Sequence, residues 1–320
     1  MKTVLIGSFP TCLTVYKSLT EKGQLNAVGF QKSLVPNPKK DFWLTSIEKE
    51  GYSTFLVDRE NIKNTFIQWL YDIEPDLVLV CGFSIKIPKE ALPIPKFGFL
   101  NIHFGKLPVN RGPDPIFWSI KKGEKQTTIT VHEIDENWDT GKILLEQSVA
   151  LIPGETLGMV NSKMSNMLEN ITKLAIELIT DPKNLKPQSE TNAYYYKKPT
   201  DKDITIDWEN QTADEIEQLI NACNPKYGGA LSYYQGSIIK ILEVSPVDYH
   251  IPLLGKTPGE IIHAHPQEGL FVCCKYGKVL RINMISSDAG ILSGSKFVHL
   301  GVRKGNCFTT SLKTTQQIIL

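Results

Sequence analysis

The sequence predicts an α/β fold: an open, mainly parallel sheet followed by a small β-barrel-like C-terminal domain. Three observations carry this. Up to about residue 102, short β-rich runs alternate with helix-length stretches, the pattern of βαβ units whose parallel sheet is covered on both faces. A polar stretch bearing three prolines then interrupts the chain at 181–200. Beyond it, β-prone pieces are separated by Gly and Pro, which suits a small antiparallel barrel or sandwich.

The β-rich runs of the first part are 3–6, 27–30, 53–57, 77–81 and 99–102, with helical stretches at 12–22, 42–50 and 61–73 between them. Two further β-prone runs follow at 127–134 and 143–150. The longest helical signal starts near Thr156, where Leu157, Val160, Met164, Leu168, Ile171, Ala175 and Leu178 recur on one helical face. It stops at Asp181-Pro182, since proline cannot continue a helix. After the proline-bearing stretch come a short helix around 213–222 and β-prone pieces at 230–234, 238–244, 270–274 and 279–282. The expected division is 1–180, a linker over 181–200, and a β-rich domain over 201–320.

At 320 residues the chain exceeds one comfortable core. With 41% hydrophobic and 22% charged residues it has the composition of an ordered globular protein. A formal net charge of +1 announces no polyanionic partner at the level of the whole molecule. Gly7, Ser8 and Pro10 break the opening apolar run too early for a secretory signal, and no later run approaches a membrane span. The six cysteines (Cys12, Cys81, Cys223, Cys273, Cys274 and Cys307) show no CxxC spacing. Free thiols in a cytoplasmic protein, with no membrane and no obligate protein partner, are expected.

The chemistry is concentrated in Leu100-Asn101-Ile102-His103, then Leu107-Pro108, Arg111-Gly112 and Asp139-Thr140-Gly141. Asn101 and His103 are two apart at a strand end, so both side chains point to one face. In an open parallel sheet, ligands bind at the carboxyl ends of the strands. Asp139 lies in a later loop that can fold back over the same edge. These residue types suit acyl transfer to an amine. An Asn N–H and an imidazolium N–H can stabilise the oxyanion of a tetrahedral intermediate. A carboxylate beside the imidazole favours its charged form, and can take the proton shed by the amine directly or through water.

The pattern Asn101-x-His103, Leu107-Pro108-x-x-Arg111-Gly112, Asp139-Thr140-Gly141 resembles the formyltransferase family. That family includes enzymes acting on methionyl-tRNA, on glycinamide ribonucleotide and on nucleotide-linked amino sugars. The resemblance implies a Rossmann-like catalytic domain, with Asn101, His103 and Asp139 as the catalytic trio and 10-formyltetrahydrofolate as donor. It also implies that the pterin sits against the backbone of the loops 83–88 and 134–139. The contacts are then Phe83, Ile85, Ile87, Pro88, Ile134, Asn137 and Trp138, with Lys106, Arg111 and Gly112 on the acceptor loop. Ile206-Asp207-Trp208, Asn224-Pro225 and the β-rich tail look like the second domain of methionyl-tRNA and some sugar formyltransferases. The amine acceptor is then methionyl-tRNA, slightly ahead of a nucleotide-linked amino sugar. Two stretches depart from the methionyl-tRNA pattern: Phe104-Gly105-Lys106, and a short, mildly basic connection over 31–40.

Other residues carry plainer readings. Arg111 is expected to shape its loop or brace a carboxylate rather than react. His132, in a strand-like run, is expected to pack or to line a pocket. His263 and His265 lack a third ligand, so no metal is expected. Tyr194-Tyr195-Tyr196 could stack on bases but fit better as linker packing against the first domain. A formyltetrahydrofolate hydrolase and a non-catalytic binding module are the rival classes. The second domain argues against the former, and the complete trio argues against the latter.

Overall fold

The computed structural model describes residues 1–32, 38–248 and 253–312. It resolves into two compact units. One is Met1–Pro115, Thr127–Val149 and Ser162–Lys197; the other is Ile116–Gln126, Ala150–Asn161 and the chain from Lys198 onward.

The first unit is built on seven strands: β1 (Thr3–Gly7), β2 (Leu25–Gln31), β3 (Ser53–Val57), β4 (Leu77–Cys81), β5 (Phe99–His103), β6 (Gln126–Glu133) and β7 (Ile143–Ala150). The order across the sheet is β3-β2-β1-β4-β5-β6-β7. The first five pair in parallel, and β6 runs antiparallel to β5. The continuous apolar runs of β1 and β4 are buried along their whole length, as strands covered on both faces must be. Val4, Ile6, Val57, Phe66, Leu70, Val78, Val80 and Phe99 form the core on one face.

Helices α1 (Leu13–Glu21), α2 (Pro38–Lys49) and α3 (Thr65–Ile73) connect the first four strands. A fourth, α4 (Pro115–Lys121), was not anticipated from the sequence. Its start follows from Pro115 in the first helical position, where a missing N–H costs nothing. The long helix α5 (Leu157–Leu178) buries Leu157, Val160, Met164, Leu168, Ile171 and Ala175, the face its periodicity marks out.

Two turns of sheet order matter for function. The chain moves outward from β1 to β3, then returns to place β4 on the other side of β1. The carboxyl ends beside that reversal are where an open α/β sheet receives ligands. The antiparallel entry of β6 then sets its residues opposite those of β5. Asn101 faces His132 and His103 faces Thr130 in the register.

The second unit contains α6 (Asp201–Ile204) and α7 (Ala213–Cys223), the latter opened by a reciprocal Thr212–Glu215 capping box. Its strands are β8 (Ala230–Tyr234), β9 (Ser237–Val247), β10 (Ile261–His265), β11 (Gly269–Cys273), β12 (Val279–Ser287) and β13 (Gly290–Ser293), and the short helix α8 (Gly294–Val298) leads on to β14 (Phe308–Thr309). They make an antiparallel, curled half-barrel in the order β10-β11-β12-β9-β8-β14, with β13 on β12. Trp208 anchors this core. It stacks on Phe308 at 5.7 Å between centroids, and its indole N–H donates to Ser232 Oγ at 3.0 Å.

Among the described residues, no helix is long and apolar enough to cross a membrane. None of their His, Cys, Asp and Glu side chains gather in threes at metal-binding range. His263 instead pairs with Glu268, 2.7 Å from Nε2. All six cysteines are free. Part of the short basic connection, 33–37, and the C-terminal Lys313 lie outside the described residues.

Candidate active site

The three residues singled out at the strand end and in the later loop come together at the carboxyl edge of the sheet. Asn101 and His103 project from the end of β5 on the same face. Asp139 sits in the loop between β6 and β7, and one of its oxygens, Oδ1, lies 3.8 Å from His103 Nδ1. The other, Oδ2, accepts the backbone N–H of Gly112 at 2.8 Å.

The Asp139 loop is tightly held. Asp139 itself has φ 57, a left-handed conformation that Asp tolerates better than most residues. Its carbonyl and that of Gly141 both accept from the Gln188 side-chain amide, at 2.9 and 2.7 Å. Thr140 Oγ1 donates to Asp135 Oδ1 at 2.6 Å. Gly141 has no room for a side chain, since a Cβ would lie 2.0 Å from the Glu133 carbonyl oxygen.

Gly112 is equally constrained. Its φ is +96, and a Cβ there would stand 2.2 Å from the Tyr196 carbonyl oxygen. Residues 194–196 run beside it as an extended segment. Tyr194 N–H donates to the Pro108 carbonyl, Arg111 N–H to that of Tyr194, and Tyr196 N–H to that of Arg111. Arg111 is buried and its guanidinium grips the Glu190 carboxylate and Gln188 Oε1. It therefore braces the loop. Tyr195 is half-exposed; burial and the nearby Asp139 charge raise its phenol. Lys106 is exposed, and its carbonyl accepts the Asn110 N–H.

Electrostatics separate the roles of the two ionisable partners. Burial opposes ionisation of Asp139. The neighbouring His103 and His132 rings and the Gly112 N–H outweigh it and hold the carboxyl at about 2. Burial lowers His103 as well, and the Asp139 charge only partly compensates. The Asp139 carboxylate thus favours the charged ring, as its place beside the imidazole implies, but burial counts for more and shifts the balance toward the neutral form. His103 Nε2 lies 2.8 Å from the Asn110 carbonyl, which can only accept, so the proton sits on Nε2 and the Nδ1 lone pair turns toward Asp139.

One buried residue that the sequence suggested would only pack or line a pocket belongs to this cluster. His132, opposite Asn101 in the sheet, has Nε2 3.1 Å from Asn101 Nδ2 and 3.5 Å from Asp139 Oδ1. The available signal was its alternation with Thr130 along a strand beside β5. Sequence alone did not reveal which strand that would be.

The residues expected to flank a pterin behave in two ways. Ile87 is part of the hydrophobic core, and Phe83, Ile85 and Ile134 pack against it. Asn137 and Trp138 are exposed at the lip, next to Asp139. Beside them opens a cleft of about 550 Å³, lined by Ile62, Lys63, Lys86, Ile87, Pro88 and Glu136 among others.

A neutral imidazole, an ionised carboxylate and a primary amide around one point can manage the charge and the proton of a carbonyl under attack. No serine or cysteine nucleophile is among them. The fold and the site are those of a group-transfer enzyme.

Comparison with known proteins places it. A family model described as formyl transferase matches residues 1–176, and one described as formyl transferase, C-terminal domain, matches 198–299. The chain belongs to the formyl transferase family. It is 30% identical to a methionyl-tRNA formyltransferase of Halothermothrix orenii over 83% of both chains. It is 32% identical to one of Ehrlichia ruminantium over 65% of both, just under two thirds of that relative's length. Among solved structures, HypX from Aquifex aeolicus in complex with tetrahydrofolic acid aligns with a TM-score of 0.62 at 19% identity. That alignment covers 93% of this chain and 47% of HypX, so the chain spans about half of HypX.

Proposed function

We propose that this formyltransferase moves a formyl group from 10-formyltetrahydrofolate to the α-amino group of methionyl-tRNA, in the cytoplasm. The relative from Halothermothrix orenii, which is named for that acceptor and aligned over 83% of both chains, carries the reading. The C-terminal excess of nine basic over five acidic residues from Lys240 onward gives a phosphate backbone something to meet.

The donor suits the residues at the sheet edge. Backbone at 83–88 and 134–139 can serve the hydrogen-bonding edge of a pterin, and the lysines of the adjoining cleft suit the carboxylates of its glutamyl tail. The amine nitrogen attacks the formyl carbon, and the carbonyl π pair moves onto oxygen. The Asn101 amide N–H meets that oxyanion. The proton shed by the amine goes to neutral His103, and Asp139 stabilises the cation so formed. Collapse of the intermediate breaks the bond to the donor nitrogen, which takes the proton back from His103 as it leaves, and an N-formyl product and tetrahydrofolate remain.

The acceptor is tested by offering purified enzyme and formyl donor either charged initiator tRNA or amino-sugar nucleotides across a salt series. Formylation of the tRNA, with KM rising steeply with salt, is expected. Turnover of an amino-sugar nucleotide with none of the tRNA would replace the acceptor while leaving the chemistry intact. Formate release without either acceptor would point to the hydrolase.

A further inference from the structure

His132 is buried, polar and has no part in the steps above. Its Nδ1 lies 2.7 Å from the Glu133 carbonyl oxygen, a group that can only accept, so Nδ1 carries a proton. In the neutral ring Nε2 then has only a lone pair to offer. That nitrogen faces Asn101 at 3.1 Å. Were the Asn101 carboxamide turned over, its oxygen would face a lone pair, and the contact would hold only if the ring took a second proton. A neutral His132 therefore fixes which way the Asn101 amide points.

We infer that His132 is a positioning residue for formyl transfer: it accepts one N–H of the Asn101 carboxamide, so that the other N–H is presented to the formyl oxygen. The inference rests on the reading of Asn101 as oxyanion donor. Both partners stand on neighbouring strands and directly opposite one another in the register. Strands hold such a pair more rigidly than loops do. The Asp139 Oδ1 atom, 3.5 Å from the same Nε2, is an acceptor and cannot replace Asn101 as a donor to it. One carboxylate and two imidazoles thereby divide the labour: His103 meets the proton, while His132 holds the amide.

Two measurements test this. In the intact protein with ¹⁵N-labelled histidine, NMR at neutral pH should show His132 as the Nδ1–H tautomer; an Nε2–H tautomer or a cation overturns the inference. This readout needs no turnover, so it stands apart from the functional reading, which fails on its own if wild-type enzyme formylates no amine. Kinetically, His132→Leu removes the acceptor while keeping an apolar side chain of similar bulk. A fall in kcat of about tenfold, the value of one hydrogen bond, is expected with donor KM unchanged. His132→Gln, whose amide oxygen can accept, should recover most of it, and serves alone if the leucine variant does not fold. In an Asn101→Ala background either substitution should cost nothing further. An equal additional loss there, or a loss seen mainly in donor KM, means that His132 does not act through Asn101.

Discussion

Replacing Asp139 by Asn separates charge from shape with little else disturbed. Asn is at home at the φ of 57 found there, and its amide oxygen can still accept the Gly112 N–H that Oδ2 now receives at 2.8 Å. Only the negative charge facing His103 and His132 is lost. Loss of a positioned proton-handling group costs on the order of 10²–10⁴ in rate, roughly 3–5 kcal/mol of transition-state stabilisation. Stability changes too. A carboxyl held at about 2 rather than at its ordinary 3.8 contributes on the order of 2 kcal/mol. The sign follows from the depressed value: this contribution is complete above pH 4 and disappears as pH falls through about 2. Urea melts should therefore show Asp139→Asn less stable by about 2 kcal/mol at pH 7, with the gap closing on acidification. Single-turnover formyl transfer measured beside those melts gives the catalytic half. A folded variant with wild-type kcat would refute the role of the charge.

Asn101→Ala should lower kcat by about 10²–10³ while leaving the donor's KM nearly unchanged, since an oxyanion donor acts on the transition state; matched losses would make Asn101 a mere donor contact. For His103, lowered by burial, the folded state binds its proton less readily than the unfolded chain. Stability should thus decline as pH drops below 6.5, and the acid limb of kcat/KM should lie below that value; a limb above it contradicts the neutral ring. Gly112→Ala combines a positive φ with a Cβ 2.2 Å from the Tyr196 carbonyl oxygen. It should lower both Tm and kcat, whereas Gly98→Ala, at φ +67 with open space around it, should cost about 1 kcal/mol in melts and spare kcat.

Much of the first unit could be read from local pattern. The runs ending at Val57 and Cys81 were found to the residue, because each is a short β-prone run between helix-length stretches, the first on the sheet edge and the second buried throughout. Asn101, His103 and Asp139 were legible because their spacing on a strand end and a following loop is itself informative. What stayed hidden depended on pairing. Nothing local says that β6 lies antiparallel against β5, and only that register turns His132 from a packed residue into Asn101's neighbour. The state of His103 was hidden for a related reason: the adjacent Asp139 favours its charge, and only burial, helped by His132, tips the balance the other way. In the second unit, α8 and the two-residue β14 are too short to produce a periodic signal.

The way the chain is shared between its two units has a practical consequence for dissecting the enzyme. Residues 116–126, between β5 and β6, and residues 150–161, at the junction of β7 and α5, belong with the second unit. No single scission of the polypeptide can therefore release the catalytic unit whole. A fragment stopped after α5 would forfeit Gln188, Glu190 and the tyrosine segment, and with them the clamps on the Asp139 loop. It would also strand two pieces stripped of their own core partners, exposing apolar side chains such as Phe117 and Ile120. Gene fusions, limited digests and minimal-domain expression should accordingly yield either the full chain or aggregates. Insertions at the exposed glycine turns, for instance at Gly154 or Gly236, offer the gentler route to a tagged enzyme.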